Sequence, residues 1–125
     1  MQTEFTAASP EVITATTAGL DSRDKFGFWH DVVCRTVVDL DCLPHGGGQF
    51  EASVSGVRFN GLTVSRIEAS PHRVSRVPSA ISRSGSESLI FNFVLSGHAL
   101  AQQDGRSVIL TAGDGAVCDA QRPYT

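Results

Sequence analysis

Cysteine is scarce in this chain and shows no pattern. Its three copies, Cys34, Cys42 and Cys118, are odd in number, and no two of them form a CxxC pair. A disulfide framework needs an even set of cysteines and a zinc site needs closely spaced ligands, so the sequence favours neither. We expect buried, reduced thiols.

Long apolar runs are also missing. No stretch contains the roughly twenty consecutive apolar residues that a membrane-spanning helix needs. Residues 1–20 contain neither a basic segment nor an apolar run, so they do not resemble a secretory signal. We therefore expect no membrane association and a location in the cytoplasm.

The chain lacks the short motifs that mark common catalytic and metal sites. It contains no nucleophile elbow, no HExxH and no GxxxxGK[ST] phosphate loop, and residues 46–48 are glycines that follow no predicted strand. The four histidines, His30, His45, His72 and His98, are isolated from one another, so no pair has metal-ligand spacing. We expect no metal, no cofactor and no catalysis.

Positive charge is limited as well. Lys25 is the only lysine among ten cationic residues, and the net charge is −3, which gives the chain no general attraction for nucleic acid. The 125 residues are 41% hydrophobic and 18% charged. This balance is typical of a single globular domain that is large enough to bury a hydrophobic core.

A clear period-two pattern is present between Ser88 and Asp119. Leu89, Phe91, Phe93 and Leu95 alternate with a second set of residues, as in a strand with two unlike faces. Val108 to Leu110 and Ala116 to Cys118 are predicted to form two further strands. The stretch therefore predicts a hairpin followed by another short strand.

Turn signals divide the rest of the chain into short strands. Asn60-Gly61 and Asp104-Gly105 readily take the positive φ that two-residue hairpin turns need. A third turn is predicted over residues 112–115, and Ser55-Gly56 is expected to break a strand. About seven to nine strands joined by short turns predict a mainly β, antiparallel barrel or jelly roll.

One helix is expected before these strands. Asp21 or Ser22 is suited to cap it, and its predicted apolar stripe consists of Phe26, Trp29, Val33 and Val37. This amphipathic helix should pack outside the barrel. Residues 1–20 are rich in threonine, alanine and serine without periodicity, and they are predicted to be a flexible N-terminal arm.

The residues from Gly97 to Tyr124 carry a resemblance to a known family. They include Gly97, Gln103, Gly105-Arg106, Leu110, Gly113-Asp114, Asp119 and Arg122-Pro123-Tyr124. Pro71, Arg73-Val74, Arg76, Phe26 and Trp29 extend the pattern toward the N-terminus. Together these residues resemble the N-terminal effector-binding domain of AraC-type bacterial transcription regulators.

The resemblance implies a cupin-like barrel that binds a small effector and controls a downstream DNA-binding domain. Residues 21–125 would form the helix and this barrel, truncated before the helix-turn-helix units, so DNA would be contacted only through a domain missing from the chain. In the family, the barrel and the dimer-forming helices continue past the Arg-Pro-Tyr motif, which is Arg122-Pro123-Tyr124 in this chain. An open sheet edge here would favour an edge-paired or strand-exchanged homodimer.

Five residues are predicted to contact the ligand: Arg66, Arg76, Phe91, Phe93 and His98. The arginines suit a carboxylate or phosphate, or are solvated strand positions paired with glutamates. The phenylalanines line an apolar pocket or belong to a packed core. His98 is a contact at the pocket mouth or an ordinary surface residue. The pattern leaves open which face of the strands is interior.

The sequence thus favours a ligand-sensing regulatory domain that is not an enzyme. One alternative is a small cupin-like enzyme of the isomerase type, although metal-binding cupins use an HxH pair that this chain lacks. The other alternative is a dimerisation module whose barrel is filled by side chains and binds no ligand.

Overall fold

A computed structural model describes residues 9–46 and 48–125 of the chain. Over these ranges it contains nine strands and two helices. In chain order they are β1 (Glu11–Thr16), α1 (Ser22–Thr36), β2 (Asp41–Pro44), β3 (Ala52–Phe59), β4 (Leu62–Ala69), β5 (His72–Ser75), α2 (Pro78–Arg83), β6 (Leu89–Phe93), β7 (His98–Gln103), β8 (Arg106–Thr111) and β9 (Gly115–Asp119). All strand pairs are antiparallel. The mainly β class predicted from the sequence is confirmed and is consistent with a cupin-like fold.

The strands are arranged in four hydrogen-bonded sheets within the described ranges. β1, β3 and β4 form a three-stranded sheet in the order β1-β3-β4, and the pairs β2-β5, β6-β9 and β7-β8 form two-stranded sheets. The chain after β9 links two of these pairs. Tyr124 forms bridges both to Arg76, next to β5, and to Gln103, the last residue of β7.

Part of the predicted flexible arm is an ordered strand. β1 pairs with β3 along its whole length, and Ile13 on β1 is buried in the core. The strand has only six residues, so its own pattern is too short to reveal it, and pairing with β3 stabilises it. The expectation of an irregular arm therefore needs correction for residues 11–16, while residues 1–8 lie outside the described residues.

The strand break predicted at Ser55-Gly56 does not occur. β3 runs through Gly56, which lies opposite Ser65 on β4. A Cβ atom at Gly56 would stand against the carbonyl oxygen of Val64, closer than van der Waals contact allows. Gly56 is therefore explained by the close approach of the β4 backbone and not by the end of a strand.

The predicted turns are present. Asn60 and Gly61 have φ angles of 50° and 77°, and Asp104 and Gly105 have 55° and 74°. Left-handed backbone at both central positions matches the twist of the flanking strands, which is why asparagine, aspartate and glycine are favoured there. At the third turn, the Asp114 carboxylate accepts a hydrogen bond from the backbone N–H of Thr111 at 2.9 Å.

Two short elements were not predicted. β2 pairs with β5 from Asp41 opposite Ser75 to Pro44 opposite His72. α2 begins at Pro78, a residue suited to the first helical turn. Both elements are too short to show a periodic pattern, so contacts with the rest of the fold determine their secondary structure.

The core forms around one face of α1. Trp29, Val32 and Val33 are buried in a cluster with residues of β1, β3 and β9 and with Tyr124. Of the predicted stripe, Trp29 and Val33 are buried, whereas Phe26 is only half-buried. Lys25 is buried beside it. No helix within the described ranges is long and apolar enough to cross a membrane.

Candidate functional site

β6 and β9 form a sheet with two unlike faces. On one face Ile90 lies opposite Cys118, and both pack into the core. The opposite face carries four large apolar side chains, from Leu89, Phe91, Phe93 and Val117. We call these four residues the Phe91–Phe93 face. The period-two pattern of the sequence produces it directly, because every second residue of β6 points to the same side.

The Phe91–Phe93 face is open to solvent. Leu89, Phe91, Phe93 and Val117 are 71%, 57%, 65% and 52% exposed. A continuous apolar surface of this kind is unfavourable in water and usually marks a binding surface. The face is therefore the strongest candidate for a functional site among the described residues.

The two phenyl rings of this face are held in place by their neighbours. Their centroids are 4.5 Å apart, with an angle of 52° between the ring planes. Phe93 also lies over Gly115, directly opposite on β9, where a Cβ atom would stand 3.1 Å from a ring carbon. Just beyond β6, Val94 exchanges backbone hydrogen bonds with the 113–114 turn at 2.8 and 3.0 Å. The aromatic pair is thus supported by the turn and by a small residue beneath it.

A groove of about 390 Å³ adjoins the face on the side of the β7-β8 hairpin. Its volume lies within the range of small-molecule sites, about 300–1,000 Å³. Val117 belongs to both the groove and the Phe91–Phe93 face, and Arg106 and Arg122 contribute positive charge to the groove. Arg122 pairs with Asp104 and lies 3.5 Å from Asp119, whereas Arg106 makes no ion pair with any described residue.

Arg76 is placed differently from the other predicted ligand residues. Its side chain is 1% exposed. Its three nitrogens donate to the backbone carbonyl oxygens of Ala120 at 3.0 Å, Asp39 at 2.8 Å and Ser84 at 2.7 Å. The planar guanidinium suits this arrangement, because it projects several donors in fixed directions. Arg76 therefore connects three separate loops from inside the core.

Arg66 and His98 are both exposed, and they lie in different sheets. Arg66 is on β4, 3.3 Å from the carboxylate of Glu68 on the same strand. His98 begins β7 opposite Thr111, directly after Gly97, whose φ is 78°. Of the five predicted ligand residues, the structure brings together only Phe91 and Phe93.

Other polar clusters do not resemble catalytic sites. Cys34 Sγ lies 3.6 Å from His30 Nε2, but burial raises the pKa of the Cys34 thiol, and the thiol donates to the carbonyl of Leu40 at 3.3 Å. An activated cysteine nucleophile needs a lowered pKa. Within residues 9–46 and 48–125, no three His, Cys, Asp or Glu side chains are grouped closely enough to hold a metal ion.

Comparison with known proteins agrees with the resemblance seen in the sequence. The sequence model of the AraC-binding-like domain family matches residues 29–125. The chain belongs to this family. The family predicted from Gly97 to Tyr124 is thereby confirmed.

Two curated relatives of this AraC-binding-like domain are longer proteins. It is 28% identical over 116 residues to "Transcriptional activator NphR" of Rhodococcus sp., an overlap that covers 92% of this chain and 35% of that protein. It is 26% identical over 108 residues to "Uncharacterized protein in nit 5'region" of Bacillus sp. (strain OxB-1), covering 86% and 42% respectively. The chain thus spans about two fifths or less of these relatives. No solved structure is significantly similar to it.

Gln103, one of the residues that carry the family resemblance, joins two parts of the AraC-binding-like domain. Gln103 Nε2 donates to the carbonyl of Asp119 at 2.8 Å, and Gln103 Oε1 accepts from the N–H of Asp119 at 3.0 Å. This pair of bonds fastens the end of β9 to the β7-β8 hairpin. Sequence reasoning missed this role, since a single glutamine gives no signal of its distant partner.

Proposed function

We propose that this AraC-binding-like domain is the effector-sensing, regulatory domain of an AraC-type transcription regulator. It binds a small molecule and controls a DNA-binding domain that lies outside these 125 residues, and it has no catalytic role. Family membership and a relative named as a transcriptional activator support the regulatory part of the proposal. The exposed Phe91–Phe93 face is the observation that carries the ligand-binding part.

The chemistry of the face favours an effector with an apolar body. Two phenyl rings flanked by Leu89 and Val117 present a surface on which a flat or aliphatic group can stack. Covering such half-exposed side chains contributes about 1 kcal/mol or more for each. The effector's polar groups would point toward the adjoining groove, where Arg106 makes no ion pair with any described residue and is the available cation.

The other three predicted ligand residues, Arg76, His98 and Arg66, have different proposed roles. Arg76 acts indirectly, because its bond to Ala120 fixes the chain immediately after β9 and so the position of Val117. His98 begins β7 and is proposed as a polar contact at the margin of the site. Arg66 lies on another sheet, and we propose that it contributes to association between two copies of the chain.

Regulation requires that the effector distinguish two arrangements of the domain. A ligand shifts an equilibrium only by its difference in affinity for the two states. The ends of β6 and β9 are held by hydrogen bonds to turns and to Gln103, so an effector on the Phe91–Phe93 face would tighten that network. The tightened form would be the one that the DNA-binding domain senses.

We also propose that the chain forms a homodimer. β4 is the outer strand of its sheet and has no second neighbour among the described residues. An unpaired edge of eight residues readily adds another strand, and a second copy is always available to supply one. In a regulator, such pairing would bring two effector sites together.

A thermal-shift screen of a metabolite library tests the ligand-binding proposal. Compounds that raise the melting temperature are retested on the double variant Phe91→Ser/Phe93→Ser. The matched control is Leu100→Ser/Ile109→Ser, which alters an exposed apolar cross-strand pair on the β7-β8 hairpin. We expect a hit to stabilise the wild-type chain and the control, but not the phenylalanine variant.

Two results would contradict this proposal. One is a library without any stabilising compound, and the other is a phenylalanine variant that responds as strongly as the wild-type chain. We expect the 125-residue chain alone to show no sequence-specific binding to promoter DNA in a mobility-shift titration at physiological salt, and tight specific binding would contradict this expectation.

A further inference from the structure

The outer edge of β4 has a pattern that fits a second copy of itself. We propose that two chains pair through β4, antiparallel, around a two-fold axis that passes through Ile67. This inference rests on the homodimer proposed above and is independent of effector binding. It assigns the contact to one strand and one register.

The hairpin geometry determines which groups of β4 are free. The Asn60-Gly61 turn has two residues, so Phe59 and Leu62 beside it form a hydrogen-bonded pair. Because such pairs alternate along an antiparallel ladder, every second residue of β4 bonds to β3. The N–H of Ser70 donates to the carbonyl of Glu51 at 2.8 Å, which continues the same alternation.

The intervening residues of β4 therefore direct their backbone groups away from β3. These residues are Thr63, Ser65, Ile67 and Ala69. A two-fold axis at Ile67 makes Ile67 face its own copy and Ser65 face Ala69 of the second copy. All of these residues present outward groups, so backbone hydrogen bonds form at each of these pairs.

Charge selects this register over its neighbours. Arg66 and Glu68 are exposed and lie on one face of β4. An axis at Ile67 places Arg66 opposite Glu68 of the second copy, and symmetry repeats this pair. An axis at Arg66 gives a longer overlap but sets Arg66 against itself, and like charges directly opposite are destabilising. An axis at Ser65 leaves both charges opposite the apolar Val64 and Leu62.

Apolar contacts add to the same arrangement. Ile67 is 45% exposed on the free sheet, and the two-fold axis brings it against its own copy. The result is a continuous six-stranded sheet with the order β1-β3-β4-β4-β3-β1. Such an interface is isologous and closes on itself, so it produces a dimer and not a filament.

The other edge of the sheet lacks these features. β1 has six residues, begins immediately after Pro10, and carries Glu11 as its single charged side chain. Proline limits pairing at its start. No two-fold register of β1 pairs opposite charges, so β4 is the favoured edge.

Sedimentation equilibrium of the 125-residue chain over a concentration series tests the register. We expect a dimer whose dissociation constant rises about tenfold or more in Arg66→Glu and in Glu68→Arg, because each variant turns two attractive pairs into repulsive ones. The double variant Arg66→Glu/Glu68→Arg restores the opposite-charge pairs. We expect its dissociation constant to return to near the wild-type value.

A proline pair tests the edge itself. Ile67→Pro removes an outward N–H of β4 without removing a bond to β3, so it should yield a folded monomer. Thr14→Pro is the matched control on β1. The Thr17 N–H bonds inward to Ala52 at 3.0 Å. Because inward and outward residues alternate along the strand, the N–H of Thr14 points away from β3. This control should remain a dimer, and circular dichroism verifies that both variants are folded.

The possible failures are distinguishable. A wild-type chain that is monomeric at high concentration overturns both the β4 pairing and the homodimer. A dimer unaffected by the charge variants and by Ile67→Pro overturns the β4 pairing alone, and a monomeric Thr14→Pro variant assigns the contact to β1. The effector proposal is judged separately, by the thermal-shift result.

Discussion

Arg76 and Tyr124 exchange both of their backbone hydrogen bonds. The N–H of Arg76 donates to the carbonyl of Tyr124 at 2.8 Å, and the N–H of Tyr124 donates to the carbonyl of Arg76 at 3.2 Å. The Arg76 side chain then reaches Ala120, Asp39 and Ser84. One residue therefore joins the end of β5 to the chain after β9 and to two loops.

Replacing Arg76 by lysine should destabilise the domain strongly. A lysine ammonium can approach one carbonyl but cannot replace three donors in a plane, and the carbonyl of buried Ala120 would cost about 1–3 kcal/mol if it lost its partner. We expect Arg76→Lys to lower the free energy of unfolding by about 3 kcal/mol, measured by urea denaturation. Arg73→Lys, at an exposed position on β5, is the control, and equal losses in both variants would contradict this role.

Two glycine-to-alanine substitutions should have opposite effects. Gly56→Ala places a Cβ atom against the Val64 carbonyl oxygen, so β3 and β4 must separate, and we expect a loss of about 1–3 kcal/mol. Gly27→Ala meets no atom within 4 Å and lies inside α1, where alanine is favoured by about 1 kcal/mol. Melting temperatures should fall for the first variant and rise for the second. A neutral Gly56→Ala would show that the sheet tolerates the contact.

Glu51 should contribute to acid sensitivity. Its carboxylate accepts a hydrogen bond from buried Lys25 at 2.6 Å, and this bond lowers the pKa of Glu51. A lowered pKa in the folded state gives stability that is present above the ordinary glutamate pKa, about 4.3, and is lost as the pH falls through the lowered value. We expect Glu51→Gln to reduce this pH dependence in urea titrations below about pH 4.5.

The acid transition should not vanish entirely in that variant. Hydrogen bonds from Arg83 and from Thr111 lower the pKa of Asp39 and of Asp114 in the same direction. The control is Glu87→Gln, a change at an exposed residue before β6. If Glu87→Gln and Glu51→Gln had the same acid profile, the contact with Lys25 would not be responsible.

Cys42 should react slowly with alkylating reagents in the folded protein. Burial raises the pKa of its thiol to about 11. The thiolate is the reactive form, so at pH 8 only about one thiol in a thousand is ionised. We expect iodoacetamide to modify Cys42 far more slowly in the folded chain than in urea, as measured by mass spectrometry of the peptides. Rapid modification of the folded chain would show that the β2 edge opens readily.

The turns and the alternating strands were predictable because their causes are local. Asn60-Gly61 and Asp104-Gly105 can take positive φ without help from the rest of the chain, and the alternation around Phe91 and Phe93 requires only a strand. Gly56 shows the limit of such reasoning. A glycine that ends a strand and a glycine beneath a close neighbour have the same local sequence, and the contact with Val64 distinguishes them.

The candidate site also contains residues that the sequence predicted and residues whose contacts only the structure reveals. Phe91 and Phe93 were predicted as ligand contacts from their place in an alternating strand, and they lie side by side on one exposed face. The partners of Arg76 and of Gln103 come from distant parts of the chain, so no spacing along the sequence could show that these residues bind backbone atoms of the fold.

The sequence by itself determined the antiparallel, mainly β class, the family, and the existence of one apolar face on β6, because period, turn chemistry and motif residues are properties of short segments. Only the tertiary structure decided which face of β6 is open, that β1 and β2 are strands, and that Arg76 lies in the core. These outcomes depend on which segments meet in space, and the free energy of burial and of hydrogen bonding between distant segments outweighs their weak local preferences.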